Sequence, residues 1–151
     1  MIIKNNTYAV TGGYGFLGKN LIDDIINKGG KVRTIGKNVD KLFELKNKYG
    51  EKIEIIVGDI KDIKNVMALI TPNVIGVFHL AAFKYVGEAE KKVMECINTN
   101  IIGTMNVLEV SAKQNVEFIM GVTGAAAVQV SGTYGATKML NEKMFFHYQK
   151  E

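Results

Sequence analysis

A single cysteine, Cys96, excludes an internal disulfide and suits a reducing, cytoplasmic setting. Set among helical residues, it reads as a small buried thiol rather than a nucleophile. The single proline, Pro72, falls where a short helix must stop. No run reaches the roughly 18 apolar residues that a membrane-spanning helix needs. The opening Met1-Ile2-Ile3-Lys4-Asn5-Asn6 is too short an apolar stretch for a signal peptide. The sequon Asn5-Asn6-Thr7 therefore reads as a chance match. Charge of one sign never accumulates either. The 19 basic and 15 acidic residues are spread along the chain, and Glu44 and Glu51 interrupt the nearest basic cluster, Lys46, Lys48 and Lys52. A nucleic-acid surface would want basic residues interleaved with exposed aromatics, so no such partner is expected. The net charge of +4 instead suits an anionic nucleotide. With 47% apolar residues, the 151-residue chain can build the core of one soluble domain, and nothing along it reads as a linker or a repeat.

What the sequence does have is glycine in the right place. Thr11-Gly12-Gly13-Tyr14-Gly15-Phe16-Leu17-Gly18 follows the apolar run Tyr8-Ala9-Val10 and precedes Leu17, Leu21, Ile25 and Ile26 at helical spacing. Gly29-Gly30 then offers a stop. Such a turn lets main chain approach a diphosphate, and the helix after it points unpaired N–H groups at the charge. Gly13, Gly15 and Gly18 fit G-x-G-x-x-G, while Gly12, Gly15 and Gly18 fit G-x-x-G-x-x-G. Gly12, Tyr14, Gly15, Phe16, Leu17 and Gly18 are the expected cofactor contacts here.

Beyond the turn, strands and helices alternate. Strands are expected at 31–35, 52–57, 74–80 and 116–122. Asn38 caps a helix bearing Val39, Leu42, Phe43 and Tyr49, and Asp62 caps another over 63–70. Ile97, Ile101, Met105 and Leu108 mark a long helix, and 134–148 the last one. The fold class expected is α/β, a Rossmann-type doubly wound parallel sheet with helices on both faces.

In that architecture the ligand crosses the carboxyl ends of the strands. After strand two, an NAD site places an acid about 20 residues past the glycines, to hold the ribose 2′-hydroxyl. Ile35-Gly36-Lys37-Asn38 has none. A cation there suits a 2′-phosphate, so NADP(H) is expected rather than NAD(H), with Lys37 at the phosphate and Arg33 or Lys41 as alternatives. Asp59 and Ile60 are placed at the adenine, the acid accepting from the amine and the isoleucine covering the ring. Ala81 and Ala82 give the cofactor a small-residue floor. His79, inside strand four, reads as a satisfied core histidine. Asn100 is expected to hold structure near the cofactor through its amide.

Tyr134-Gly135-Ala136-Thr137-Lys138 puts a phenol and an ammonium on one helical face. The ammonium favours the phenolate, so Tyr134 becomes a general base while Lys138 also reaches the nicotinamide ribose. Thr123, just after strand five, is the candidate hydroxyl completing the site.

Together these motifs resemble the extended short-chain dehydrogenase/reductase family, and most of all its nucleotide-sugar 4,6-dehydratase and capsular-polysaccharide branch. The carriers are residues 11–18, Gly-Asp-Ile-Lys-Asp (58–62), His-Leu-Ala-Ala-Phe-Lys-Tyr-Val (79–86), Asn-Thr-Asn-Ile-Ile-Gly-Thr (98–104) and 134–138. Lys84 with Glu90 resembles the branch's Lys-x-Val…Glu element, and Lys84 is expected at the cofactor. The resemblance implies a UDP-activated amino sugar such as UDP-N-acetylglucosamine. Tyr134 would take the 4-hydroxyl proton while hydride leaves C4 for NADP. Water would then be lost across C5 and C6, and the hydride returned to C6. The family's eliminating Asp-Lys pair, however, stands here as Ala125-Ala126, with no proton to exchange, and its Asn-Pro as Gln129-Val130. Family members also continue for about as much chain again, so the resemblance implies a nearly complete cofactor portion and no substrate portion. Three readings stay open: a dehydratase relative with weak or no activity, an epimerase or reductase using Thr123, Tyr134 and Lys138, and a non-catalytic dinucleotide-binding module. Self-association through an exposed sheet edge is expected, with no metal site.

Overall fold

The computed structural model describes residues 2, 4–124, 127 and 131–149. Five strands form one sheet: β1 (Thr7–Thr11), β2 (Lys31–Gly36), β3 (Ile53–Val57), β4 (Val74–His79) and β5 (Phe118–Gly121). All pairings are parallel and the order is β3-β2-β1-β4-β5. This is the Rossmann-type sheet that the alternation of elements led us to expect, with its switch point between β1 and β4.

Alternate residues of β1 serve opposite layers, as strand geometry demands. Tyr8 and Val10 pack with Ile22, Ile25 and Ile26 of α1 (Phe16–Asn27) and Leu45 of α2 (Val39–Tyr49). Ala9 faces the other way, toward Val66 and Leu69 of α3 (Ile63–Leu69) and Val107 and Val110 of α6 (Gly103–Lys113). Two short helices, α4 (Val86–Ala89) and α5 (Val93–Ile97), precede α6, and α7 (Gly132–Gln149) closes the described chain.

The caps fall where expected. Asn38 Oδ1 accepts from the Lys41 N–H at 2.9 Å, and Asp62 Oδ1 from the Lys64 N–H at 2.9 Å. α1 differs: Gly15 precedes it and no side chain caps it.

Three sequence expectations change. In α2 the buried pair is Leu42 and Leu45, whereas Val39 and Phe43 are exposed, because only one face of this edge helix meets the sheet. The expected face Ile97, Ile101, Met105 gives way to Cys96, Asn100, Thr104, Val107 and Leu108. A π-helical turn over Asn98–Ile102 joins α5 to α6, and the polar members of that face are buried for their hydrogen bonds. β5 is also shorter than 116–122. Ala125, Ala126, Gln129 and Val130 lie outside the described residues.

Candidate active site and cofactor groove

The sheet's carboxyl edge carries a groove of about 450 Å³. At its head, Gly12 has φ +72°, and a Cβ there would sit 2.9 Å from the Ala81 amide nitrogen. A Cβ on Gly18 would lie 2.7 Å from the Gly13 Cα and also run into the Gly12 carbonyl. Glycine is required at both, since the turn packs main chain on main chain. The Gly15 N–H bonds the Gly12 carbonyl at 3.0 Å, and Lys19 N–H is the first in α1 to reach back, to the Gly15 carbonyl at 2.9 Å. The amides of Phe16, Leu17 and Gly18 therefore have no carbonyl inside the helix. An uncapped start of this kind, on a turn where Gly12, Gly13 and Gly15 carry no Cβ, fits a diphosphate. The Phe16 and Leu17 side chains themselves are exposed.

Gly12, Tyr14, Gly15, Lys37, Asp59 and Ile60 line one stretch of the groove, and Ala81, Ala82 and Lys84 another. Lys37 Nζ stands 3.5 Å from Asp59 Oδ2, and Lys61 Nζ lies at the same distance from that oxygen. Lys41 lies over the Tyr14 ring, 5.7 Å from its centroid. Arg33 is engaged elsewhere: its Nε and Nη2 donate to the Leu69 and Ala68 carbonyls at 2.9 and 2.7 Å, and it pairs with Glu54. Ile60 is only 5% exposed and packs in the core against Val66 and Val107, so little of it is left to cover a ring.

Buried polar side chains hold the loops that make this groove, and sequence reasoning missed most of them. Thr11 Oγ1 accepts from the Leu80 and Ala81 amides at 3.1 and 3.0 Å and meets His79 Nδ1 at 2.7 Å. His79 Nε2 meets the Thr104 hydroxyl at 2.9 Å. His79 is thus a satisfied core histidine, its pKa pushed down to about 4 by burial and then by the charge of Lys138. Asn106 donates to the Ile60 and Lys61 carbonyls at 2.9 and 3.0 Å, pinning the loop after β3. Fully buried Asn100 accepts from the Phe83 N–H at 2.7 Å and donates to the Phe83 carbonyl at 3.1 Å. It also donates to Thr137 Oγ1 at 3.0 Å, so its reach is to the groove wall and α7. A threonine closing a strand before a glycine turn, and Asn100 and Thr104 one helical turn apart, were the available signals.

Beside the groove lies a second cavity of about 320 Å³, and Leu80 and Ala81 line both. Lys138 and Thr123 line this cavity, where Thr123 donates to the Glu142 carboxylate. Lys138 is buried, its Nζ donating to the Val122 carbonyl at 3.2 Å and lying 5.8 Å from the Tyr134 ring centroid. Tyr134 is half-buried and lines neither cavity. Its phenol is raised above the ordinary range, chiefly by burial and then by Cys96. Burial likewise lowers Lys138. Burial thus pushes the phenol up, opposite to the depression expected from its lysine. Cys96 is buried, as expected of it.

The polysaccharide biosynthesis protein family model matches residues 8–151. The chain belongs to that family. Its relatives place it among the extended short-chain dehydrogenases/reductases. It is 36% identical over 143 residues to an uncharacterized membrane protein of Methanocaldococcus jannaschii, covering 93% of this chain and 43% of that one. With an inverting UDP-N-acetylglucosamine 4,6-dehydratase of Campylobacter jejuni it shares 31% over 147 residues, 95% of this chain and 44% of the other. Among solved structures, Pen from Bacillus thuringiensis superposes with a TM-score of 0.94 at 28% identity, covering all of this chain and 48% of that one. UDP-glucose 4-epimerase from Bifidobacterium longum, solved with NAD+ and UDP, gives 0.79 at 26%, covering 94% and 48%. The chain thus spans about half the length of these relatives. Among the described residues, no helix is long and apolar enough to cross a membrane, and no acid, histidine or cysteine cluster could hold a metal.

Proposed function

We propose that this chain binds NADP(H) along the groove and handles a UDP-activated sugar, with Tyr134 as proton acceptor. One observation carries the reading. The glycine cradle and Lys138 stand along one sheet edge, and the two cavities they belong to meet at Leu80 and Ala81. A nicotinamide dinucleotide bound there would supply the hydride acceptor for the sugar's C4.

This chain's residues do the rest. The first amides of α1 hold the diphosphate, and Ala81 and Ala82 let it pass. Lys37, paired with Asp59 in the structure, would hold the 2′-phosphate, and Asp59 would accept from the adenine amine. Lys84 closes the groove's outer side, and Asn100 keeps that wall in place through Phe83. Lys138, which donates to the Val122 carbonyl, would hold the ribose hydroxyls. Tyr134 takes the 4-hydroxyl proton, while Thr123 bonds the same oxygen. A phenol is protonated at neutral pH even in water, and burial raises this one further, so its service as a base depends on the positive charge of Lys138. Ala125 and Ala126 offer no group for eliminating water across C5 and C6, which makes oxidation or epimerisation at C4 the chemistry within reach. Retention of Tyr134 and Lys138 supports an enzyme over a purely binding module.

The test is a pair of titrations. Lys37→Glu is expected to weaken NADPH binding by about tenfold or more, as loss of a charge-assisted phosphate contact would, and NADH binding far less. Equal losses would discard the 2′-phosphate assignment. Incubation with UDP-N-acetylglucosamine is expected to yield no 4-keto-6-deoxy product, and a clear yield would refute the loss of elimination.

A further inference from the structure

Among the described residues, hydrogen bonds tie the groove wall to the helix carrying Tyr134 and Lys138 in an interior contact and in a surface one. In the interior one, Asn100 bonds both Phe83 and Thr137. The other lies at the start of α7. There Glu90 Oε1 accepts from the Thr133 N–H at 2.5 Å, and Oε2 from the Thr133 hydroxyl at 3.3 Å. The backbone is shaped for this contact: Gly132 has φ +69°, and a Cβ there would run into the Glu90 carboxylate. The neighbouring Lys91 and Lys92 each pair with Glu88 at 3.7 Å. Buried Ala89 fixes the main chain from which Glu90 reaches.

We infer that Glu90 is a positioning residue, anchoring the first turn of α7 to the groove wall and so setting where Tyr134 stands. The inference rests on the proposed role of Tyr134, which is the residue after Thr133. The first amides of a helix need acceptors from outside it, and a carboxylate also complements the dipole. Here the acceptor comes from a different segment, the one that walls the groove. Anything that seats that wall therefore acts on Tyr134 through Glu90.

The test compares Glu90→Ala and Glu90→Gln by hydrogen exchange and by NMR titration of 13C-labelled tyrosine, the Tyr134 signal being identified with Tyr134→Phe. In Glu90→Ala, the amides of residues 133–136 are expected to exchange roughly fivefold faster, the size of a lost cap. The Tyr134 titration should move to lower pH as the phenol gains solvent. Glu90→Gln keeps an acceptor and should recover more than half of both changes. Should Glu90→Ala not fold, Glu90→Gln against wild type carries the test, with smaller changes in the same directions expected. Unchanged exchange and titration in Glu90→Ala, or no recovery in Glu90→Gln, would overturn the inference. If the wild type binds no dinucleotide, the proposed function falls, while the titration in the free protein still decides the role of Glu90.

Discussion

Asn100 is the polar residue on which the groove wall hangs, and replacing it gives a sharp expectation. It is fully buried and makes three bonds at 3.1 Å or less, two to the main chain of Phe83 and one to Thr137. Asn100→Ala removes all three, each worth about 1 kcal/mol net, and strands a Phe83 N–H and C=O in partly buried surroundings. Water reaches half-buried Phe83 in part, so the expected loss is about 3 kcal/mol, a large share of a typical domain's stability. Asn100→Asp is the more telling variant. One oxygen still accepts from the Phe83 N–H, but the other faces the Phe83 carbonyl, and only a protonated acid can donate there. Folding then favours the protonated form, so the folded-state pKa of the new carboxyl lies above its unfolded value. The sign follows: the variant is closest to wild type at low pH and loses stability as pH rises through that folded-state pKa. Urea unfolding of wild type and both variants between about pH 4.5 and 8 reads this as a difference, since the range starts just above the unfolded carboxyl's pKa. An Asn100→Ala loss below about 1 kcal/mol would refute the accounting, as would an Asn100→Asp variant that gains on wild type with rising pH.

Further expectations concern the turn, the histidine and the sheet edge. Gly18→Ala puts a methyl against Gly13 and the Gly12 carbonyl; it should cost roughly 1–3 kcal/mol and abolish dinucleotide binding, as calorimetry can show. Unimpaired binding would remove the diphosphate from the turn. His79 is neutral in the fold with a pKa pushed down to about 4, against 6.5 unfolded. The unfolded chain therefore takes up the proton first, and stability falls as pH drops from 6.5 through 4, by ~3 kcal/mol in all. His79→Gln should flatten that part of the profile, and an unchanged slope would mean another group is responsible. Among the described residues β5 pairs only with β4, and Met120 within it is 56% exposed. Sedimentation is expected to show association that Met120→Lys weakens, and a monomer at all concentrations would count against an edge contact.

How much of this was legible in the sequence depends on what each residue is for. Gly12 and Gly18 announce themselves because no other residue type survives main-chain contact at those positions, and the strand and helix on either side give that contact a purpose. The strands were legible because both faces of the sheet are covered and apolar runs result. Asn100 drew notice as a structural amide, but the face it shares did not. A helical pattern search follows apolar residues, and here Cys96, Asn100 and Thr104 take the inner face while Met105 stays 40% exposed. Their burial is explained only by groups far away in sequence: the main chain of Phe83, the ring of His79 and the hydroxyl of Thr137. Glu90 was marked only as part of a motif, because its partner is a backbone amide, which every residue owns and no sequence singles out. The phenol's direction of shift failed for a related reason. Spacing along a helix gives the distance between Tyr134 and Lys138, but not the solvent both lose when α7 packs against α4, α5 and α6. Contacts that depend on side-chain type and short spacing can be read from a chain; those set by burial or by main-chain partners need the fold.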